Sequence, residues 1–264
     1  MNIVVLVKQV PDTWAERKLK ADDKTLDRAS VDVVMNEIDE YAVEEALKLK
    51  EAATASSGEA SVTILTMGPE RAVETIRKAL SMGADKAVHL VDDALAGSDA
   101  VQTSYALAKV LETLEYDLLI CGSEATDSRM SIMAALLAER TGKPQLSGAR
   151  KVTVDGGNVT IERQTDNGYD VVQAATPAIV SVVEKINEPR YPSFKGIMAA
   201  KSKPLTTLSI ADAGIEAGQV GLAAAPSQVV EFANKPPRQA GQIVKDEGDG
   251  GSKVAEYLAS QKIV

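Results

Sequence analysis

The chain has one cysteine, Cys121, and one histidine, His89. The first excludes an intramolecular disulfide and any multi-thiolate zinc site, and the second excludes every design that needs two imidazoles. No metal centre is expected. Aromatic residues make up 3% of the sequence, too few for a protein that binds nucleic acid by base stacking. Basic charge is also short: 29 Lys and Arg against 38 Asp and Glu leave a net charge of −9, so no basic excess exists to release counterions from a polyanion. Apolar runs stop well short of the roughly 18 to 20 residues of a membrane span, so direct membrane insertion is not expected. Met1 to Val10 carries Lys8 inside its apolar run with no basic region ahead of it, and reads as a first strand rather than a signal peptide. Together these absences point to a cytoplasmic, reducing-compartment protein.

What is present is material for a large core. The 264 residues suit one large α/β domain or one domain plus an appendage. Folding a chain of this size hides roughly 70 to 75% of its extended surface, and the 45% hydrophobic content, mostly Ala, Val, Leu and Ile, can fill that interior. From Met1 to Arg140, apolar runs alternate with amphipathic stretches, the pattern of β-α-β units around a parallel sheet. The expected strands are Asn2 to Lys8, Val62 to Thr66, Ala87 to Val91 and Asp117 to Cys121, near-continuous in apolar residues as strands covered on both faces are. The expected helices are Glu40 to Ala53, Glu70 to Met82, Asp99 to Leu114 and about Ser128 to Thr141. In the first, Ala42, Val43, Ala46, Leu47 and Leu49 mark one face, the apolar one, and Glu44, Glu45, Lys48 and Lys50 the other, facing solvent.

The pattern then changes. Lys151 to Val154 and Val159 to Arg163 alternate around Asp155-Gly156-Gly157-Asn158, and Asp166-Asn167-Gly168 marks a second turn, so antiparallel strands are expected before a buried run at Ala178 to Val183. After Ala217 the sequence loosens through Lys235-Pro236-Pro237-Arg238 and Asp246 to Gly251 and ends in a short helix, Ser252 to Gln261, with Val254, Tyr257 and Leu258 on one stripe. The expected division is therefore an α/β domain at 1–217 and a C-terminal arm at 218–264.

In an open parallel sheet, ligands sit beyond the carboxyl ends of the strands where strand order reverses. Four loops qualify: Gln9 to Asp12, Met35 to Asp39, Met67-Gly68-Pro69, and Gly122 to Ser131. The last follows a buried strand and is expected to open a helix. Its free N–H groups and the hydroxyls of Ser128 and Ser131 could hold a phosphate with help from Arg129; equally, Thr126, Asp127 and Ser128 could only cap the helix. It is neither a P-loop nor a Gly-x-Gly-x-x-Gly fingerprint. Asn36 and Asp39 are open to the same two readings, as ligand contacts or as a turn residue and a dipole partner for the helix. His89, mid-strand, reads as packed and hydrogen-bonded, and Cys121 as an inert core thiol. No nucleophile elbow or acid–base pair is seen, so no catalytic residue is assigned.

Three stretches together resemble the β subunit of electron transfer flavoproteins: Val7-Lys8-Gln9-Val10-Pro11-Asp12; Met35-Asn36 running into Ala42-Val43-Glu44-Glu45-Ala46; and Asn187-Glu188-Pro189-Arg190-Tyr191 followed by Gly196 to Lys201. Gly122 to Asp127 and Ala79 to Asp85 fit as well. The resemblance covers essentially the whole chain. It implies a Rossmann-like, adenine nucleotide alpha hydrolase-like doubly wound fold, and a heterodimer with an α subunit that carries most of an FAD site while this chain lends one edge and buries AMP. The AMP site would then comprise Leu6, Asn36, Glu37, Ile38, Asp39, Met67, Gly122, Ser123, Glu124, Ala125, Thr126, Asp127, Ser128, Arg129, Met130, Ser131, Ile132 and Met133. The FAD edge would be Val10, Pro11, Asp12 and Thr13. A docking loop for partner dehydrogenases would be Glu188, Pro189, Arg190, Tyr191, Pro192, Ser193, Phe194, Lys195 and Gly196, with Phe194, where relatives usually have leucine, at its centre. Many relatives place acidic or amide residues around Arg129 to Ile132, a departure here. The implied function is electron carriage, from acyl-CoA dehydrogenases and similar donors to a membrane-bound quinone-linked dehydrogenase. A bifurcating flavoprotein with a second FAD in place of AMP, and a stand-alone ATP- or AMP-binding sensor, are the alternatives.

Overall fold

A computed structural model of the chain describes residues 1–56, 58–238, 241 and 243–264. These divide into two compact units, Met1–Val230 and Glu231–Val264.

In the larger unit, β1 (Asn2–Leu6) leads through a short antiparallel ribbon, β2 (Gln9–Pro11) and β3 (Val33–Met35), into helix α1 (Glu37–Ala55). There follow β4 (Ser61–Met67), α2 (Val73–Met82), β5 (Lys86–Leu90), α3 (Ala100–Leu111), β6 (Leu118–Gly122) and α4 (Met133–Thr141). The unit is completed by β7 (Gln145–Asp155), β8 (Asn158–Thr165), β9 (Gly168–Ala175), β10 (Ala178–Val182), α5 (Phe194–Ala200) and β11 (Leu205–Leu208). The main sheet has nine strands in the order β11-β5-β4-β1-β6-β10-β7-β8-β9. Pairing is parallel from β11 to β7 and antiparallel across β7, β8 and β9.

Period-2 alternation along β1 sorts the core onto two faces. Ile3, Val5 and Val7 pack with Ala42, Val43, Ala46, Leu47, Ile76 and Leu80 of α1 and α2. Val4 and Leu6 pack with Ala106, Leu107, Val110, Ala134 and Leu137 of α3 and α4. Helices therefore cover both faces, and the fold is the doubly wound, mostly parallel α/β class expected, with the antiparallel extension built on β7.

Three expectations need correction. Glu44 and Glu45 are buried, not on a solvent face, because residues 187–190 lie over them: Arg190 pairs with Glu44 at 2.7 Å, and Asn187 donates to Glu45 at 3.0 Å. The fourth helix begins at Met133 rather than near Ser128, since Arg129 and Ser131 have φ of 48° and 53°, which no right-handed helix accommodates. Residues 218–230 belong to the larger unit and not to the arm: Val220 is buried, Gly221 N–H donates to Ser98 Oγ at 2.8 Å, and Ser227 donates to Asp99 from N–H and Oγ at 3.2 and 2.8 Å.

The smaller unit contains α6 (Gly250–Ser260). Asp246 accepts the N–H groups of Gly248 and Gly250, both at 2.8 Å, which organises the turn into the helix. No residue of α6 is buried, and Val254 and Tyr257 are mostly exposed. Among the described residues, no helix is long and apolar enough to cross a membrane.

Candidate functional site

The chain builds β1, β4 and β5 outward to one side, then returns to place β6 against the other edge of β1. Strand order reverses there, so the helices after β1 and β6 leave on opposite faces and a crevice opens between the two carboxyl ends. A cleft of about 380 Å³ lies at that point. Of the residues expected around a nucleotide, Leu6, Asp39, Met67, Gly122, Ser123, Glu124, Ala125, Ser128, Met130, Ser131, Ile132 and Met133 line it. Asn36, Glu37, Ile38, Thr126, Asp127 and Arg129 do not. Lining residues that the sequence did not single out include Lys8, Arg28, Asp99, Thr103 and Ser227.

Gly122 is where the strand meets the cleft. A Cβ there would lie 2.6 Å from Asp39 Oδ1 and 2.9 Å from Ile38 Cγ2, closer than any side chain could be tolerated, so the start of α1 packs directly on the β6 backbone. Beyond it the loop is held from beneath by Asn36, which is fully buried. The Asn36 side chain donates to Glu124 O at 2.9 Å and accepts Thr126 N–H at 3.0 Å. It makes no cap bond to its own helix, so its role is to fix the opposite loop. Arg129 N–H closes a turn on Ala125 O at 2.8 Å. The surface that follows β6 is therefore a loop running to Ile132, not a helix N-terminus.

Charge is concentrated beneath this loop. The Asp127 side chain is wholly buried and pairs with Lys8 Nζ at 2.9 Å and with Arg28 Nη2. Burial works against its ionisation, but the two cations outweigh it and hold the carboxyl below its ordinary value. Glu124 pairs with Arg129 at 3.2 Å and accepts from Ser131 Oγ at 3.1 Å. Asp39 accepts Lys8 N–H at 2.8 Å, yet its burial dominates and raises its pKa to about 7. The sign follows from linkage. Between the ordinary carboxylate pKa near 4 and about 7, the folded state retains a proton that the unfolded chain has released. Stability therefore falls as pH rises through that window and is flat above it. Urea melts at pH 4.5 and 7.5 should show this decline, and Asp39→Asn should reduce it by an amount on the order of 2 kcal/mol or more; an unchanged slope would place the titration elsewhere.

Around the ribbon, Val10 and Pro11 are buried and turn away from solvent, leaving Asp12 and Thr13 at the surface. Beside them stands Trp14, 95% exposed, which the sequence reading missed. In the expected docking segment, the loop ends at Ser193, whose side chain caps α5 by accepting Gly196 N–H at 3.0 Å, so Phe194 is the first helical residue rather than a loop residue. Phe194 and Tyr191 are exposed, and Ile197 and Met198 are about half so. His89 is buried with Nε2 3.0 Å from Gly68 O, and burial lowers its pKa. Cys121 lies at the base of the cleft with its thiol pushed up to about 12 by burial, an unreactive state. No cluster of three or more His, Cys, Asp or Glu suited to a metal occurs among the described residues.

This sheet and this crevice define the doubly wound α/β class whose ligands sit at strand carboxyl ends. A family model described as the electron transfer flavoprotein domain matches residues 23–213, and the chain belongs to that family. It is 56% identical over 264 residues to electron transfer flavoprotein subunit beta of Mycobacterium tuberculosis (strain CDC 1551 / Oshkosh), covering 100% of this chain and 99% of that one. It is 36% identical over 275 residues to the subunit of the same name from Megasphaera elsdenii, covering 100% of both. It is also 33% identical over 264 residues to the caffeyl-CoA reductase-Etf complex subunit CarD of Acetobacterium woodii, covering 99% of this chain and 97% of that one. Family membership makes electron transport the role, a flavin part of the complex and an alpha subunit the implied partner.

Proposed function

We propose that the chain is the β half of a heterodimeric electron carrier that takes electrons from acyl-CoA and related dehydrogenases through an FAD shared with an α subunit, and delivers them to a membrane-bound quinone-linked dehydrogenase. The cleft holds AMP. The observation that carries this reading is the pairing, at the switch point, of apolar walls from Leu6, Leu65, Met67 and Leu107 with a polar loop that brings Ser123 and Ser128 to the same cleft. The first suits a purine and the second a phosphate. Asn36 and Asp127 act from outside the cleft by fixing that loop, and Gly122 lets it approach α1.

A flavin supplies the electron chemistry when bound, and the protein supplies its surroundings. Here Asp12, Thr13 and Trp14 would form the wall, since Val10 and Pro11 are buried. The segment from Glu188 to Gly196 docks donor dehydrogenases. The C-terminal unit wraps the α subunit: α6 buries no residue, and a helix this short is marginal in water without a partner surface. The carrier works in the cytoplasm.

The test is cofactor analysis of the chain expressed alone and with its α subunit. The β chain alone should be nearly colourless, and the denatured yellow heterodimer should yield one FAD and one AMP. Two FAD and no AMP would replace this reading with the bifurcating one, and a β chain holding a full complement of FAD alone would overturn the division of the flavin site.

A further inference from the structure

We propose that Arg28 binds the phosphate of the nucleotide in the cleft, an inference that rests on the nucleotide reading above. Arg28 lies in the irregular stretch between β2 and β3, and its backbone is fixed: the Arg71 guanidinium donates to its carbonyl. Its side chain lines the cleft. One guanidinium nitrogen, Nη2, is on Asp127; the other, Nη1, is buried and has no hydrogen-bond partner among the described residues. A charged N–H group left in that state is costly and calls for an acceptor.

The neighbouring side chains show what the acceptor is not. Lys8 and Arg28 share the single carboxylate of Asp127, which leaves one positive charge over. Of the acids on the cleft wall, Glu124 is engaged by Arg129 and Ser131, and Asp99 accepts from Gln102 N–H and from Ser227. Asp39 also faces the cleft, but burial keeps much of it protonated near neutrality. None of these acids reaches Arg28 Nη1, and a phosphate offers the oxygens that a planar guanidinium donates to best. The stretch from Arg129 to Ile132 contributes few side-chain donors: Met130 and Ile132 are apolar, and Arg129 and Ser131 are committed to Glu124. Arg28 supplies from across the cleft what that stretch lacks.

The competing role is structural, with Arg28 present only as a second partner for Asp127. Binding of AMP and of adenosine to nucleotide-stripped heterodimer separates the two, with thermal melting of each protein recorded alongside. Arg28→Met should lower the preference for AMP over adenosine about tenfold or more while adenosine affinity stays within twofold. Arg28→Lys keeps a cation beside Asp127 but loses the second nitrogen; it should melt like the wild type and still lose several-fold of that preference. Inorganic phosphate should compete with AMP on the wild type more strongly than on either variant. Equal losses for AMP and adenosine, or an unchanged ratio in Arg28→Lys, would overturn the phosphate role and leave the nucleotide site standing. A wild-type heterodimer that binds neither compound would overturn the nucleotide reading itself.

Discussion

Asp127→Ala should destabilise the larger unit by about 3 kcal/mol, the largest loss expected from any single polar substitution at the site. Removing one partner of a buried ion pair costs roughly 3 to 5 kcal/mol, because the charge left behind has been taken from water without compensation. Here two cations are left, but the side chains of Lys8 and Arg28 are 40% and 37% exposed, so both recover some hydration and the lower figure applies. The carboxylate also joins elements distant in sequence: Lys8 follows β1, Arg28 precedes β3, and Asp127 follows β6. Its loss should therefore free the loop that Asn36 holds from the other side. Urea denaturation followed by circular dichroism gives the stability change. As an internal reference, the exposed pair Lys109–Glu112 should be worth under about 1 kcal/mol, so Glu112→Gln should barely move the midpoint. The pH dependence has its own sign. A carboxyl held below its ordinary value contributes stability above the unfolded pKa near 4 and loses it as pH falls further. The wild type and Asp127→Ala should therefore converge in strong acid. A gap that persists there would mean that packing, not charge, sets the loss.

How much of this was legible in the sequence depended on range. Local signals located the repeating strands and the first three helices of the first 140 residues and both turns of the antiparallel extension, and they singled out the loop after β6, which lines the cleft. Long-range contacts defeated the same reasoning. Glu44 and Glu45 carry the pattern of a solvent face because a helix periodicity records only which side is polar; nothing local says that Arg190 and Asn187, more than 140 residues on, will cover them. Arg28 sits in a stretch with no period at all, between strands of three residues each, too short to register as strands. Gly218 to Val230 looked like the start of the arm because Gly, Ala and Ser dilute it, yet one carboxylate, Asp99, caps α3 through Gln102 N–H and also holds Ser227. The positive φ of Arg129 and Ser131 was equally hidden, since neither residue is glycine.

Phe194→Ala should reduce electron transfer from a donor dehydrogenase by about 10- to 30-fold while leaving flavin content, nucleotide content and melting temperature near those of the wild type. Asn187 donates to Tyr41 O at 3.0 Å, and Arg190 grips Glu44 at 2.7 and 2.9 Å and Glu51 at 2.6 Å. Gly196 lies so close to α2 that a Cβ would come within 2.4 Å of Ser81 O. Arg77 donates to Ala200 O at 2.6 Å, and Lys203 donates to Leu80 O and Ala84 O at 2.8 and 2.6 Å. Anchored on α1 and α2 in this way, the segment fixes the backbone that carries Phe194, whose side chain is 81% exposed, before any partner arrives. Ordering costs on association are then small, and a single aromatic filling a partner pocket can contribute about 2 kcal/mol or more. A loss of that size is roughly 30-fold in affinity, and the exposure of the ring explains why the fold should not notice its removal. Arg190→Ala makes the contrast: it releases Glu44 from its only cationic partner among the described residues, so it should lower stability and transfer together. Titrating the wild-type and Phe194→Ala heterodimers with the dehydrogenase and fitting KM for the carrier separates docking from electron transfer within the complex. A rise in KM with kcat preserved is the expected result; unchanged kinetics, or a lowered melting temperature, would return Phe194 to the fold and leave Tyr191, at 96% exposed, as the next residue to remove.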